Sequence, residues 1–249
     1  MVAPAQPDPA DAFDVRASLV VVAAGTGSRL NASSHKALVT LGDAPLVDVT
    51  VRRLLGLAAL DPVVVVGHPD DRGALQDLAA RWPRPVRLTD GGARRQDSVE
   101  AGLAALAEVA DAPPVVLVHD AARPFPPLER LAELARTAAH TGCAVLAVPV
   151  ADTLRRARPD APDLADATVS RSGLHAVQTP QAFLADLLRD LLARARSEGR
   201  DVTDEAHLFE MAGRDVAFVE GSRLNFKITT QDDLELARAV LARRPEGER

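Results

Sequence analysis

The amino-acid sequence predicts an α/β fold in which helices cover both faces of a doubly wound, mostly parallel sheet. Three observations support this prediction. Four runs are almost entirely apolar, as in strands that are buried on both faces: 19–22, 62–67, 114–119 and 143–149. Segments with helical periodicity separate these runs. Glycines and charged residues follow the runs at their carboxyl ends, where Rossmann-like sheets bind their ligands.

The composition is that of an ordinary globular protein, with 47% hydrophobic and 26% charged residues among 249. A net charge of −6 argues against nucleic acid or an anionic membrane as a partner. The single cysteine, Cys143, excludes an internal disulfide and a metal site built from cysteines. Because the sequence has no apolar run of ~20 residues and no evident signal peptide, we expect a cytoplasmic protein.

Periodicity and turn signals predict the remaining elements. Residues 1–17 are acidic and rich in proline and alanine, so we expect them to be disordered, with a single domain over 18–245. Asp43 is predicted to cap a helix that begins near Pro45. The further helices are predicted at 70–81, 96–109, 128–140, 181–196, 204–212 and 230–243, and two further strands at 86–88 and 215–219.

The segment 150–175 interrupts the alternation of strands and helices. It is polar and contains prolines, and it has strand-like fragments at 153–157 and 167–169. A connection of this length without clear structure of its own is unusual in a compact domain. The sequence therefore predicts a functional or interacting element here.

A loop of very small residues follows the first strand, from Ala23 to Ser28, and the cations Arg29 and Lys36 come after it. Such a loop lets a nucleotide approach the backbone N–H groups, while the cations meet its phosphates. The loop is not a Walker A motif, since no Gly-Lys-Ser/Thr follows, and Leu30 departs from the dinucleotide-binding pattern. A plain tight turn between a strand and a helix remains the alternative.

Polar residues also follow the other strands. Asp120 emerges from a buried strand beside small residues, which suits one contact to Mg²⁺, although a cap of the next helix or an ion pair with Arg123 would also place an aspartate there. Ser98 is predicted either to cap its helix or to bind a nucleotide, and His119 to be packed rather than catalytic. Lys36 and Lys227 are the only lysines among 29 basic residues, which is explained either by chance or by a need for an ammonium group at both positions.

Seven motifs occur in the order typical of 2-C-methyl-D-erythritol 4-phosphate cytidylyltransferases, and the chain resembles that family from residue 19 to residue 241. These motifs are LVVVAAGTGSRL with Lys36, DGGARRQDSV, VHDAARPF, ADT, AVQTPQAF, VTDEA and FKITT. The first motif is shared by many nucleotidyltransferases, whereas the combination of the others is narrower. His35 stands where the family usually has a proline, which implies a looser entry into the following helix.

The resemblance implies a role for individual residues. CTP would be bound by Ala23, Ala24, Gly25, Gly27, Gly92, Arg95, Ser98 and Ala121. The catalytic cations would be Arg29, Lys36, Arg171 and Lys227. The polyol phosphate would be bound by Asp120, Arg123, Thr153, Arg171, Thr179, Thr203 and Lys227. Asp120 would hold Mg²⁺ or another divalent cation. The segment 150–175 would be a protruding β-arm that reaches into the partner's site in a homodimer.

The chemistry implied is attack by the phosphate oxygen of the substrate on the α-phosphorus of CTP, with pyrophosphate as the leaving group. A phosphate monoester is largely dianionic near neutral pH, so no strong general base is needed. Transfer to another polyol phosphate, such as ribitol 5-phosphate, is the nearest alternative. A non-catalytic nucleotide-binding protein or an NAD(P)-dependent enzyme is a more distant one, and Leu30 argues against the latter.

Overall fold

A seven-stranded sheet lies at the centre of the computed structural model, which describes residues 15–27 and 35–244. The strands are β1 Ala17–Ala23, β2 Thr40–Leu41, β3 Ala44–Pro45, β4 Leu60–Gly67, β5 Arg87–Asp90, β6 Val115–Asp120, β7 Cys143–Pro149, β8 Leu154–Arg158, β9 Ala161–Val169, β10 His175–Leu184 and β11 Ala217–Glu220. The helices are α1 Leu46–Leu55, α2 Arg72–Ala79, α3 Arg95–Ala107, α4 Leu131–Thr141, α5 Ala185–Ser197, α6 Ala206–Met211 and α7 Gln231–Ala242.

The strand order of the large sheet is β11-β7-β10-β6-β1-β4-β5. All neighbouring pairs are parallel except those that β10 makes with β6 and β7, so one strand runs against the other six. In the central strand β1, Val20 lies opposite Val64 of β4 and Val118 of β6. The α/β class and the mostly parallel sheet are thus confirmed.

Successive residues of the central strands point to opposite faces, and each face has its own apolar core. Leu19 and Val21 pack in a cluster that includes residues of α1, α2 and α4. Val20 packs in a second cluster with residues of α3 and α5. Because every side chain of the middle of β1 is buried, this strand has the continuous apolar sequence that predicted it.

The strand β10 corrects one prediction. Residues 181–184 were expected to begin a helix, but they lie in β10, and α5 begins only at Ala185. Phe183 is fully buried and lies opposite Val116 of β6 and Cys143 of β7. Because this segment pairs with β6 on one side and β7 on the other, its backbone N–H and C=O groups form hydrogen bonds when it is a strand. This pairing overrides the local sequence pattern, which favours a helix.

Two boundaries also differ from expectation. Ala17, in the segment expected to be disordered, is buried at the start of β1, and residues 1–14 lie outside the described residues. Asp43 does not cap α1, because it lies in the turn between β2 and β3 while Pro45 occupies the cap position. The final helix does begin as predicted, since the Thr230 hydroxyl accepts the N–H of Asp233.

The segment 150–175 contains an antiparallel hairpin, β8 paired with β9. Nearly all its side chains are exposed, including that of Leu164 at 55%. The strand-like fragments expected at 153–157 and 167–169 therefore belong to one protruding two-stranded element. No helix among the described residues is long and apolar enough to cross a membrane.

Candidate nucleotide site

A cavity of about 360 Å³ opens at the carboxyl ends of the central parallel strands. Eleven of the residues predicted from the sequence line it: Ala23, Ala24, Gly25, Gly27, Lys36, Gly92, Arg95, Ser98, Asp120, Ala121 and Lys227. They come from five separate parts of the chain, which the sheet topology brings to one edge. Arg29 lies outside the described residues.

The first wall of the cavity is the loop after β1, where small residues are needed for two reasons. Gly27 has a φ of +70°, and a Cβ on it would lie 2.5 Å from the Cβ of Lys36. Lys36 is the first residue of a short 3-10 helix, Lys36–Leu38. The absence of a side chain at Gly27 therefore lets the loop lie against the backbone that carries Lys36.

The second wall is the turn between β5 and α3. A Cβ on Gly91 would lie 2.5 Å from the Cβ of Ala24, so the two loops touch through their smallest residues. Ser98 does not occupy the cap position of α3, which belongs to Arg94. Instead, the Ser98 hydroxyl accepts the N–H of Gly92 at 3.3 Å and donates to the carbonyl of Arg94 at 3.2 Å. Ser98 therefore fixes the shape of this turn.

Asp120, the last residue of β6, is the central anion of the site. Its Oδ1 accepts the Nε–H of Arg95 at 3.0 Å, and its Oδ2 accepts Nζ of Lys227 at 2.7 Å. These two cations hold the pKa of the Asp120 carboxyl well below its usual range, although burial opposes the shift. Asp120 is therefore ionised at neutral pH, and the ion pair predicted as an alternative is present with Arg95 and Lys227 rather than with Arg123.

Glu205 is a residue of the site to which the sequence pattern assigned no binding or catalytic role, only a place at the start of a helix. Its two carboxylate oxygens accept Nη1 of Arg95 at 2.7 and 2.6 Å, and the residue is only 1% exposed. Arg95 thus lies between two buried carboxylates, which keep it charged and fix its direction. The signal was present, because Glu205 follows Thr203 within the VTDEA motif.

A chain of hydrogen bonds supports Asp120 from behind. The N–H of Asp120 donates to Oγ1 of Thr179 at 3.0 Å, and Oγ1 lies 3.1 Å from Nδ1 of His119. Since Nε2 of His119 must donate to the carbonyl of Arg123 at 2.9 Å, Nδ1 carries the lone pair that the Thr179 hydroxyl needs. Burial lowers the pKa of His119 to about 4, so this histidine is neutral and structural.

Five residues predicted to bind substrate do not line the cavity. Thr179 lies beneath Asp120, as described above, and Arg123 donates Nη1 to the carbonyl of Asn225 at 2.8 Å. Thr203 is exposed in the loop that leads to α6. The last two, Thr153 and Arg171, are exposed in the hairpin segment, where Arg171 contacts the carbonyl of Ala151. Their roles stay predictions.

The charge of the cavity indicates the kind of ligand it can hold. Its described lining contains four cations and one carboxylate: Lys36, Arg94, Arg95, Lys227 and Asp120. An excess of positive charge at backbone loops without side-chain bulk suits a compact ligand with several negative charges. One ionised carboxylate beside such an anion can supply a single ligand to Mg²⁺, which prefers one or two carboxylates together with phosphate oxygens. Asp120 fits that requirement.

Comparison with known proteins agrees with this chemistry. The model of the 2-C-methyl-D-erythritol 4-phosphate cytidylyltransferase family matches residues 17–243. The enzyme of that name from Geobacillus thermodenitrificans is 40% identical over 227 residues, which are 90% of this chain and 96% of the relative. The one from Bacillus velezensis is 41% identical over 226 residues, which are 90% of this chain and 94% of the relative.

The solved structures give the same result for the fold. The crystal structure of 2-C-methyl-D-erythritol 4-phosphate cytidylyltransferase from Thermus thermophilus superposes with a TM-score of 0.72 and 33% identity. The match covers 92% of this chain and the whole of the other. The family model, the sequence relatives and the fold therefore agree, and the chain belongs to the 2-C-methyl-D-erythritol 4-phosphate cytidylyltransferase family.

Proposed function

We propose that this protein transfers a cytidylyl group from CTP to 2-C-methyl-D-erythritol 4-phosphate. The products are 4-diphosphocytidyl-2-C-methyl-D-erythritol and pyrophosphate, and the reaction belongs to isoprenoid biosynthesis by the non-mevalonate route. Membership of the family supports the reaction. The observation that carries it for this chain is the convergence of Lys36, Arg95, Lys227 and Asp120 on one cavity beside loops without bulk.

The reaction joins two anions, and electrostatics forms most of its barrier. An oxygen of the substrate phosphate attacks the α-phosphorus of CTP in line, and the bond from the α-phosphorus to the bridging oxygen of pyrophosphate breaks. Lys36 and Lys227 lower the barrier by placing fixed positive charge where negative charge builds up. A dianionic phosphate is itself the nucleophile, and the described cavity lining contains no histidine or glutamate that could act as a base.

Each wall of the cavity has a separate task in this proposal. The loop of Ala23, Ala24, Gly25 and Gly27 and the turn at Gly92 hold the nucleotide through backbone groups, while Arg95 and Asp120 keep each other in place. Lys227 holds the substrate phosphate near the α-phosphorus. Arg29 would add a further cation from the residues that precede Lys36. Orientation of the two reactants contributes in addition to charge.

Asp120 would hold Mg²⁺ or another divalent cation. The metal, when bound, would neutralise charge on the triphosphate. Both oxygens of Asp120 already accept one hydrogen bond each, and a carboxylate has further lone pairs to offer. The two bonded cations keep that carboxylate ionised and aligned with the cavity.

The hairpin of β8 and β9 supports a second part of the proposal, a homodimer in which each arm reaches the partner's site. Leu154 and Leu164 are exposed on the hairpin, and Leu174 and Val177 near its base, each with at least 36% of its surface accessible. Such residues are typical of a surface that a second copy covers. Arg171 and Thr153 would then complete the site in trans. A cytoplasmic location remains the expectation from the sequence.

Release of pyrophosphate tests the reaction and its acceptor. The protein is incubated with CTP, UTP, ATP or GTP and with either 2-C-methyl-D-erythritol 4-phosphate or ribitol 5-phosphate, with and without Mg²⁺. We expect rapid release only with CTP, the methylerythritol phosphate and the metal. Faster turnover of ribitol 5-phosphate would replace the proposed acceptor, and binding of NADH without any release would contradict the whole assignment.

A further inference from the structure

A second polar cluster includes the residue directly before Lys36, and its members are outside the set of residues that line the cavity. His35 precedes the 3-10 helix Lys36–Leu38, and His68, Asp70 and Asp71 follow β4. The rings of His35 and His68 have centroids 4.0 Å apart, with 37° between their planes. One possible ligand atom from each of His35, His68 and Asp70 lies within 4.8 Å of the others.

Asp71 fixes the tautomer of His35. The Nδ1 of His35 lies 2.9 Å from Oδ1 of Asp71, and an ionised carboxylate can only accept. Nδ1 therefore carries the proton, and Nε2 of the neutral ring has a free lone pair. A carboxylate that orients a histidine in this way is a common support for metal ligands.

The charge of Asp71 is incompletely compensated. The residue is only 7% exposed, and its Oδ2 has no hydrogen-bond partner among the described residues. A buried carboxylate whose partner is a neutral imidazole retains most of its negative potential. A cation on the far nitrogen of His35 would offset that potential.

His68 and Asp70 offer two more electron pairs. The Nδ1 of His68 accepts the backbone N–H of Asp70 at 3.2 Å, so this nitrogen is unprotonated in the neutral ring. It lies 3.6 Å from Oδ2 of Asp70. Two ligands of a tetrahedral zinc ion, each about 2.1 Å from the metal, lie roughly 3.4 Å apart. The exposed side chain of Asp70 can close the remaining distance, and the long hydrogen bond to Nδ1 would give way.

We propose that His35, His68 and Asp70 bind one divalent transition-metal ion of the zinc type, with water as a further ligand and Asp71 as the support of His35. Imidazole nitrogen favours zinc, cobalt, nickel and copper, whereas Mg²⁺ prefers oxygen, so this site differs chemically from that of Asp120. The bound ion would fasten the residue before Lys36 to the loop after β4. The proposal does not depend on the reaction that the cavity catalyses.

The test is a titration with Co²⁺ of the full-length protein after treatment with a chelator, in an excess of Mg²⁺ that occupies oxygen sites. We expect one equivalent of Co²⁺ to bind, with visible absorption that Zn²⁺ abolishes. Zn²⁺ should also raise the unfolding temperature, because it binds only the folded chain. His35→Gln and His68→Asn should each weaken Co²⁺ binding by about tenfold or more.

The variants are chosen to preserve the fold. Asparagine at position 68 keeps an acceptor for the N–H of Asp70. His140→Asn is the matched control, since His140 is an exposed histidine on α4. If either variant at 35 or 68 unfolds, Asp70→Asn at the exposed carboxylate must weaken Co²⁺ binding in its place. Binding that all these variants retain, or a wild-type protein without stoichiometric binding, would overturn the proposal.

Discussion

At the scale of single residues, the site depends on a few ions that hold one another in place. Asp120 bonds to Arg95 and Lys227, and Arg95 bonds in turn to Glu205. The resemblance to the family had assigned Asp120, Arg95 and Lys227 to one site. The sequence could not predict the partner of Arg95, since Glu205 lies 110 residues away in the chain.

Lys36 provides the sharpest prediction at this scale. Lys36→Ala removes a preorganised charge at the cavity, so we expect kcat to fall by roughly 10²–10³ while the fold is kept. Arg238→Ala is the control, because Arg238 is an exposed cation on α7 outside the cavity lining. Steady-state assays of pyrophosphate release measure both variants. Turnover near that of the wild type in Lys36→Ala would exclude a catalytic role for this lysine.

His119 predicts how stability depends on pH. Its pKa in the folded chain is about 4, whereas an unfolded histidine has one near 6.5. Between these two pH values the unfolded chain binds more protons than the folded chain. The contribution of His119 to the free energy of unfolding is therefore fully present above pH 6.5, and it decreases as the pH falls toward 4, by up to about 3 kcal/mol.

Urea denaturation at a series of pH values measures this loss, and His119→Gln is the comparison. We expect the variant to be less stable at pH 7.5 but to lose less stability toward pH 4. Burial raises the pKa of Glu205, but that contribution is present in both proteins and cancels in the difference. Parallel pH profiles for the two proteins would show that His119 is not the group that titrates.

At the scale of elements, burial on both faces decides which strands the sequence can predict. The strands β1, β4, β6 and β7 have continuous apolar runs because helices cover both sides of them. The strand β10 is exposed in its first three residues and buried only afterwards, so it has no such run. Its buried half continues into α5 with leucines at helical spacing, which is why the segment resembled a longer helix. The pairing of β10 with β6 and β7 depends on residues from distant parts of the chain, so no local pattern predicts it.

Substitutions at two glycines, Gly102 and Gly25, distinguish an effect on packing between elements from an effect on ligand binding. A Cβ on Gly102 of α3 would lie 2.5 Å from Cγ1 of Val20 on β1, whereas one on Gly25 meets nothing within 4 Å. We expect Gly102→Ala to lower the free energy of unfolding by roughly 1 kcal/mol, because overpacking exceeds the gain in helix propensity. Its KM for CTP should be unchanged.

Gly25→Ala, in contrast to Gly102→Ala, should change the KM for CTP rather than the stability. The added methyl group enters the cavity rather than the core, so stability stays within about 0.5 kcal/mol of the wild type while KM for CTP rises. Urea denaturation and steady-state kinetics on the same preparations compare the two variants. Equal effects of both substitutions on KM would mean that the loop at Gly25 does not contact the nucleotide.

At the scale of the whole molecule, the cavity and the arm are separate in a single chain. Thr153 and Arg171 are exposed outside the described cavity lining, although the resemblance assigned them to the substrate. No local pattern can decide whether they act in their own chain or in a partner. The proposal that each site is shared by two chains accounts for their exposure and for the apolar residues on the hairpin.

Mixing two inactive variants tests that proposal directly. Lys36→Ala damages the cavity, and Arg171→Ala damages the arm. In a dimer with exchanged arms, each site combines the cavity of one chain with the arm of the other, so a mixed dimer has one site with both residues intact. Random exchange of subunits makes half of the dimers mixed, and one of their two sites works. Equal mixtures should therefore recover roughly a quarter of wild-type activity after subunit exchange.

Lys36→Ala mixed with Lys227→Ala is the control. Both of these substitutions affect the cavity, so mixed dimers contain one damaged cavity of each kind and should recover nothing. Activity of the first mixture no higher than the sum of its components would mean that each chain supplies its own Arg171.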